Sequence, residues 1–415
     1  MQTKLKTGAI KPKAYNSVHT ASSLLEPKSV QAALGDAKWS KAMFEKYTAL
    51  MQNKTWSLVP SSNDMNILGN KWVFRTKYHP DGSISKFKAR LVVNGFQQTP
   101  GLDFFDTYSP VIKASTIRVI FTLAVTYSWD IQQMDINNAF LNGEFQETAY
   151  MEQPAGFVDQ QHPSFVCKLH KALYGLKQAP RAWFSKLRGA LLGWGFINSR
   201  SNVNLFYKTV GSHLLLLLVY VDDILITGSS SALIHKLISD FNSTFALKTL
   251  GSVNYFLGFE VLKNSSGLLL TQTKYVTELL NKTNMVSSKP CATPISFGTK
   301  LSLHDGELFS DPFLYRSVIG ALQYLTHTRP DISFIVTKVS QFLKAPTIVH
   351  WQACKRVLRY LKGTTYYGLL FKPSSSLQLE AFCDADWASS IDDKKSTSGC
   401  CVYLGGNLIT WSSNK

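Results

Sequence analysis

The sequence predicts an α+β fold, and three observations predict it. Two alternating, strand-like stretches flank a turn near residue 80, an apolar run near residue 220 is interrupted only by two aspartates, and the last third carries three successive helix-start signals. The chain has 415 residues, 45% hydrophobic and 12% aromatic, enough to bury a core in two or three domains and to set disorder aside. Lysine and arginine number 44 against 27 acidic residues, a formal charge of +17. Such an excess favours a polyanionic partner, nucleic acid before membrane, because each neutralised phosphate releases counterions; alone it is weak evidence. The most apolar stretch, residues 214–226, is broken by Asp222 and Asp223 and falls short of the roughly 20 residues a membrane helix needs. The basic N-terminus lacks the apolar segment of a signal peptide. The six cysteines show neither a C-x-x-C pair nor zinc-site spacing. Reduced, mostly buried thiols in a soluble intracellular protein with no membrane partner are therefore expected.

Residues 1–27 are polar and basic and read as a leader or linker remnant. A helix is predicted around 29–50, with Ala33, Ala37, Met43 and Leu50 among its apolar positions. Residues 71–78 and 84–93 alternate like strands about the turn His79-Pro-Asp-Gly. The period of two gathers Lys71, Arg75 and Lys77 on one side of the first strand, and Lys86, Lys88 and Arg90 on one side of the second. That pattern suits phosphate contact and a solvated face equally. A helix over 116–127 leads to a short strand ending at Asp135. Pro180 opens an amphipathic helix on which Trp183, Leu187, Leu191 and Trp194 recur at helical spacing, as core positions. Residues 214–220 and 224–227 are apolar runs of strand length around Val221-Asp222-Asp223, and a helix around 232–245 follows. Further helices start at Asp311-Pro312, Arg329-Pro330 and Thr347. On the last of these Lys355, Arg359 and Lys362 form a basic stripe, read as a solvated face. Strands return at 377–383, 399–404 and 407–411.

An Asp-Asp dipeptide usually lies in an exposed turn. Here the apolar runs on either side predict that both arms of the hairpin are buried. Two acids at the tip of buried strands repel each other and lose hydration unless cations neutralise them. Asp135, at the end of another apolar-flanked strand, would complete a hard-oxygen site for Mg²⁺. Such sites hold two ions roughly 4 Å apart, one at the attacking oxygen and one at the leaving oxygen. Pattern alone leaves metal-dependent phosphoryl chemistry and a structural turn evenly balanced.

Tyr220-Val221-Asp222-Asp223 resembles the catalytic hairpin of reverse transcriptases, and the wider frame resembles copia-type retrotransposon polyproteins. The matching segments include Lys71-Trp-Val-Phe, Lys88-Ala-Arg-Leu-Val, Gln133-Met-Asp-Ile-Asn-Asn-Ala-Phe-Leu, Lys171-Ala-Leu-Tyr-Gly-Leu-Lys-Gln-Ala-Pro-Arg, Phe256-Leu-Gly-Phe-Glu and Leu325-Thr-His-Thr-Arg-Pro-Asp-Ile, in family order over about residues 28–415. The resemblance implies a right-hand polymerase. Fingers and a palm with an antiparallel sheet would occupy residues 28–265, thumb and connection helices 266–375, and an RNase H-like segment 376–415. It implies an RNA-directed DNA polymerase in which Asp135 and Asp222 bridge two Mg²⁺ (or Mn²⁺) ions and Asp223 supports the site. A primer 3′-hydroxyl would attack the α-phosphate of a dNTP and expel pyrophosphate. The partners would be an RNA template, a primer–template duplex and dNTPs, in a cytoplasmic virus-like particle or the nucleus. Lys88 and Arg90 would hold the triphosphate, Phe140 would exclude a ribose 2′-hydroxyl, and Gln178 would line the nucleotide and template. Phe256, Leu257, Gly258, Phe259 and Glu260 would form the primer grip. Lys248 stands where a lysine could protonate pyrophosphate, and reads equally well as an exposed lysine.

Three positions depart from the family pattern. Asn94 replaces a basic residue, Thr249 an aspartate and Asn142 a histidine, which bears on efficiency more than on chemistry. Cys383-Asp-Ala-Asp-Trp-Ala resembles the opening of the family's RNase H domain, with Asp384 as its first metal ligand. The acidic motif that follows in relatives is not among the 415 residues, so RNase H activity is expected to be absent. The competing reading is a catalytically silent remnant that at most binds nucleic acid.

Overall fold

The computed structural model describes residues 26–78, 83–108, 111–144, 147–245 and 247–415. The predicted turn at 79–82, and all but the last two residues of the predicted leader, lie outside the described residues. The chain divides into two units, one of residues up to 105 with 145–179, the other of 106–144 with 180–415.

The first unit opens on two helices, Val30–Leu34 and Ala37–Gln52, where the sequence predicted one. Asp36 is the cause: its carboxylate accepts from the backbone N–H groups of Lys38 and Trp39, capping a new helix where Gly35 ends the first. Trp39, Met43 and Leu50 are buried along one side of this helix, whereas Ala37 is exposed. The Trp39 ring packs edge-on against Phe74 and Phe87 of the hairpin Asn70–Tyr78/Ile84–Val93, whose other buried residues include Trp72, Ala89 and Leu91. A four-stranded sheet that the sequence did not reveal runs in the order Trp56–Pro60, Phe165–Leu169, Tyr150–Met151, Ile67–Leu68. Two of its strands have two residues each, too few for alternation to register.

The second unit is built on a six-stranded antiparallel sheet. Its order is Leu247–Ser252, Ile131–Ile136, Asp223–Gly228, His213–Tyr220, Leu205–Val210, Ile197–Asn198. Helices cover both faces, which is why the central strands are apolar without alternation. On one face Met134, Ile136, Leu217 and Ile224 meet Trp183, Leu187, Ile234 and Phe241 from helices Ala179–Gly193 and Ser231–Thr244. On the other, Leu216, Leu218 and Leu225 meet Ile117, Ile120 and Phe121 of helix Ala114–Thr126. Burying each such side chain contributes about 1.5–3 kcal/mol. The same cluster takes in a second sheet, Tyr255–Phe256, Phe259–Asn264, Gly267–Thr271 and Gly368–Phe371.

Helices Thr273–Lys282, Pro312–Leu325, Ser333–Ser340 and Ile348–Gly363 share a further core that includes Leu279, Tyr315, Leu322, Val336 and Leu358. Asp311 caps the second, and a Thr347–His350 capping box opens the fourth. The basic stripe expected to face solvent does something else. Arg359 Nε donates to Lys289 O at 2.6 Å, Lys362 Nζ to Ser288 O at 2.6 Å, and the adjacent Arg356 to Thr293 Oγ1, fastening the connector before Pro312. The last sheet, Leu379–Ala385, Ser398–Leu404 and Asn407–Asn414, is held by Arg118. That buried guanidinium donates to Ile409 O and His327 O and lies 3.8 Å over the Trp411 ring. Only Cys167 and Cys354 are buried, so the expectation of mostly buried thiols fails, chiefly at Cys383, Cys400 and Cys401 in this last sheet. Among the described residues no helix is long and apolar enough to cross a membrane.

Candidate functional site: a carboxylate row and a cationic ribbon

In the six-stranded sheet Tyr220 is paired with Asp223, Asp223 with Asp135, and Asp135 with Lys248. Directly opposed residues lie on one face, so these four side chains form a row across four adjacent strands. Asp222 sits beside the row in the two-residue turn of the hairpin. Its neighbour Val221 has φ +53°, a region that β-branched residues avoid at a cost of about 1–3 kcal/mol. Two bonds hold the turn there: Trp183 Nε1–H donates to Val221 O at 2.6 Å, and Ile136 N–H to Asp222 O at 2.9 Å. Trp183 is core, as its helical spacing predicts, but its indole N–H has this second task, invisible in the sequence. Gly143 allows the approach, since a Cβ there would lie 2.8 Å from Trp183 N.

Burial, followed by the charges of Asp222 and Asp135, pushes the Asp223 carboxyl up to about 6, and a hydrogen bond from Gln133 partly opposes this. The oxygen-only donor set therefore fits a hard divalent cation, which would relieve the repulsion that raises Asp223. Among the described residues no three His, Cys, Asp or Glu side chains converge closely enough to hold a metal as they stand. Phe140 follows Asp135 by five residues, in the single turn Ala139–Asn142, and is half-buried against the cluster that contains Trp183.

Leu257 and Gly258 make the turn between Tyr255–Phe256 and Phe259–Asn264, with φ +51° and +82°. Tyr324, 67 residues away in sequence, donates its hydroxyl to Leu257 O at 2.7 Å. A Cβ on residue 258 would lie 1.8 Å from that hydroxyl, so only glycine fits. Phe256 and Phe259 are buried, and the Glu260 carboxylate accepts from Lys274 N–H at the start of helix Thr273–Lys282. Asp384 is not in the six-stranded sheet. It lines a separate cleft of about 640 Å³ with Asp386, Phe382 and Trp411.

In the first unit the hairpin register opposes Arg75 to Lys88, Lys77 to Lys86, and Val73 to Arg90. The two basic rows read from the strands thus fall on the same face, giving one ribbon of Lys71, Arg75, Lys77, Lys86, Lys88 and Arg90. Like charges directly opposite cost about 0.2–1 kcal/mol per pair. Arg75 is balanced by Glu26 at 3.3 Å. Arg90 lies 5.6 Å over the Tyr174 ring, with its Nε buried and unbonded. Burial, then the charges of Lys88 and Arg90, lowers the Lys46 ammonium to about 8. Positive charge at this density is compatible with phosphate contact and with a solvated face alike. Gln178, expected to line nucleotide and template, is buried: its Oε1 accepts from Gln98 Nε2 at 2.9 Å and its Nε2 donates to Asp103 O at 2.9 Å. The sequence reading missed Gln98 and Asp103, whose role appears only in this network.

The family model described as reverse transcriptase (RNA-dependent DNA polymerase) matches residues 53–297. The chain is 47% identical over 417 residues to the retrovirus-related Pol polyprotein from transposon RE1 of Arabidopsis thaliana, covering 100% of this chain and 28% of that protein. It is 38% identical over 403 residues to the Pol polyprotein from transposon TNT 1-94 of Nicotiana tabacum, covering 94% of this chain and 30% of the relative. A putative transposon Ty5-1 protein of Saccharomyces cerevisiae is 32% identical over 284 residues, 68% of this chain and 92% of its own length. The chain thus spans less than a third of the length of the two polyproteins.

Proposed function

The chain belongs to the copia-type reverse transcriptase (RNA-dependent DNA polymerase) family, and from that premise we propose that it extends a DNA strand on an RNA template by two-metal nucleotidyl transfer. The observation that carries the proposal is the in-register row of Asp223, Asp135 and Lys248, with Asp222 at the strained turn beside it. Asp135 and Asp222 would hold two Mg²⁺ ions, with Asp223 in support; when bound, the ions supply activation of the primer 3′-hydroxyl and neutralisation of the departing pyrophosphate. The new bond joins the 3′-oxygen to the α-phosphorus as the bond to pyrophosphate breaks. Lys248 would give a proton to that leaving group, Phe140 would exclude a 2′-hydroxyl, and the 256–260 turn would hold the primer end. Lys88 and Arg90 would bind the triphosphate, and Gln178 would act indirectly, by bracing its loop. On this reading residues 28–265 are fingers and palm, 266–375 thumb and connection, and 376–415 an RNase H-like segment.

The test is primer extension on an RNA template with Mg²⁺, comparing this chain with Asp222→Asn. Synthesis by the former and a loss of at least about 100-fold in the latter is expected, the scale of removing one charge-stabilising group from a catalytic centre. Equal synthesis by both overturns the assignment. Silence from both supports a remnant that only binds nucleic acid.

A further inference from the structure

The loop of residues 94–105 buries two of its polar residues and exposes two of its phenyl rings. Gln98 is 4% exposed and Asp103 2%, while Gln97 and Thr99 are exposed. Gln98 accepts from Lys177 N–H at 2.8 Å as well as donating to Gln178, Thr99 N–H donates to Asp103 Oδ2 at 2.7 Å, and Gly69 N–H donates to Gln97 Oε1 at 2.8 Å. Of its aromatic residues Phe104 is buried, whereas Phe96 is 80% exposed and Phe105 73%. Buried amides and a buried carboxylate are costly unless fully bonded, and when bonded they fix the backbone. Here they fix a loop in which the phenyl rings of Phe96 and Phe105 have no core to fill. The loop continues directly from the strand that carries Lys86, Lys88 and Arg90, and Asn94 N–H bonds to Gly69 O at the base of the other strand.

We propose that Phe96 and Phe105 are a stacking platform for unpaired bases of a nucleic-acid strand whose phosphates run along the cationic ribbon. This rests on the nucleic-acid reading above and adds to it the residues that touch bases. Exposed aromatic rings on a braced loop that continues a cationic strand suit the binding of single strands irrespective of sequence, because every base has a π-face and every nucleotide a phosphate. The charge of the ribbon selects a nucleic acid over an apolar protein partner. Holding the rings in place before binding reduces the ordering cost on association. The buried position of Gln178 follows: it acts on the strand by keeping the platform rigid.

The experiment is fluorescence anisotropy of a labelled single-stranded RNA oligonucleotide against the full chain, without Mg²⁺ or dNTPs, over a range of KCl. Phe96→Ala with Phe105→Ala should weaken binding roughly 5- to 150-fold for each base that loses its ring, and leave the slope of log K against log [KCl] unchanged. Arg75→Ala with Lys88→Ala should instead flatten that slope by about 1.4, at about 0.7 for each phosphate no longer neutralised. Phe96→Trp with Phe105→Tyr should keep the affinity of the parent, and Phe96→Leu with Phe105→Leu should not. Because both rings are exposed, unchanged melting temperatures are expected for the Phe96 and Phe105 variants. Alanine variants that bind like the parent overturn the platform, as do leucine variants that bind like the aromatic ones, or a changed oligomeric state with RNA binding intact. A parent chain that binds no RNA overturns the nucleic-acid reading itself, a separate result.

Discussion

Replacing Asp223 by asparagine should make the metal-free protein more stable while spoiling its site. The carboxyl is raised from 3.8 to about 6 by burial and by Asp222 and Asp135. The native state therefore holds its proton more tightly than the unfolded chain, and stability falls as pH rises from about 4 to about 6. Above that window the cost of keeping Asp223 ionised is present in full. A sealed site with this shift would lose about 3 kcal/mol; Asp223 is partly open to solvent, and screening reduces that to about 1–2 kcal/mol. An asparagine at this position keeps an acceptor for Gln133 and carries no charge, so Asp223→Asn should recover this amount at pH 7.5 in EDTA, a rise of about 2–6 °C in Tm. The gain over wild type should vanish below about pH 3, where Asp223 is protonated in both states. Mg²⁺ should reverse the order, stabilising the wild type by mass action more than the variant. Thermal melts of both proteins at several pH values, with EDTA or Mg²⁺, measure all three effects. A variant less stable than wild type at pH 7.5 without metal, or one stabilised equally by Mg²⁺, would refute the carboxylate row as a cation site.

Three further substitutions probe the contacts around the site. Trp183→Phe keeps the aromatic packing but frees Val221 O, and should cost about 1–2 kcal/mol in denaturant unfolding. It should also lower kcat more than it changes dNTP KM, because the strained turn that carries Asp222 loses its donor. Tyr324→Phe removes the bond to Leu257 O and should raise the Kd for a primer–template duplex several-fold with dNTP KM unchanged, as steady-state kinetics and a binding titration can show. Arg118→Met breaks the guanidinium bonds to Ile409 O and His327 O. It should expose the 407–414 strand to limited proteolysis, with a loss of about 1–3 kcal/mol.

The central hairpin and the carboxylates were legible because their signals are local. An uninterrupted apolar run marks strands covered on both faces, and the same run flags two acids at its tip as anomalous. The C-terminal helix starts were legible for the same reason: Asp311 and Thr347 cap within three residues of themselves. Asp36 emits a comparable signal, and missing it merged two helices into one. What the sequence withheld was register. Side-sharing within each strand separated the basic residues into two rows, and only the pairing of Arg75 with Lys88 and Lys77 with Lys86 makes them one ribbon. The basic stripe of the last long helix shows the converse, since Arg359 and Lys362 look solvated until the carbonyls of Lys289 and Ser288 are found under them.

Register also explains why the three aspartates and Lys248 carry more weight together than apart. A lysine paired at random with an exposed strand residue would say little about chemistry. Opposite Asp135, and one strand removed from Asp223, it closes a row in which a raised carboxyl is next to two further acids and a cation lies at the end. Stability alone does not favour that arrangement: Val221 is strained, Asp223 is costly to ionise, and apolar residues in place of Asp135 and Asp223 would extend the core of Leu218 and Leu225 on the same face. The fold nevertheless devotes a buried tryptophan and a close-approach glycine to holding the turn in place. Strain and repulsion maintained by such specific support, at the end of an otherwise apolar sheet, accord with the proposed site, which would meet charge from outside the protein. Divalent cations and a nucleotide's phosphates supply that charge in the chemistry proposed here.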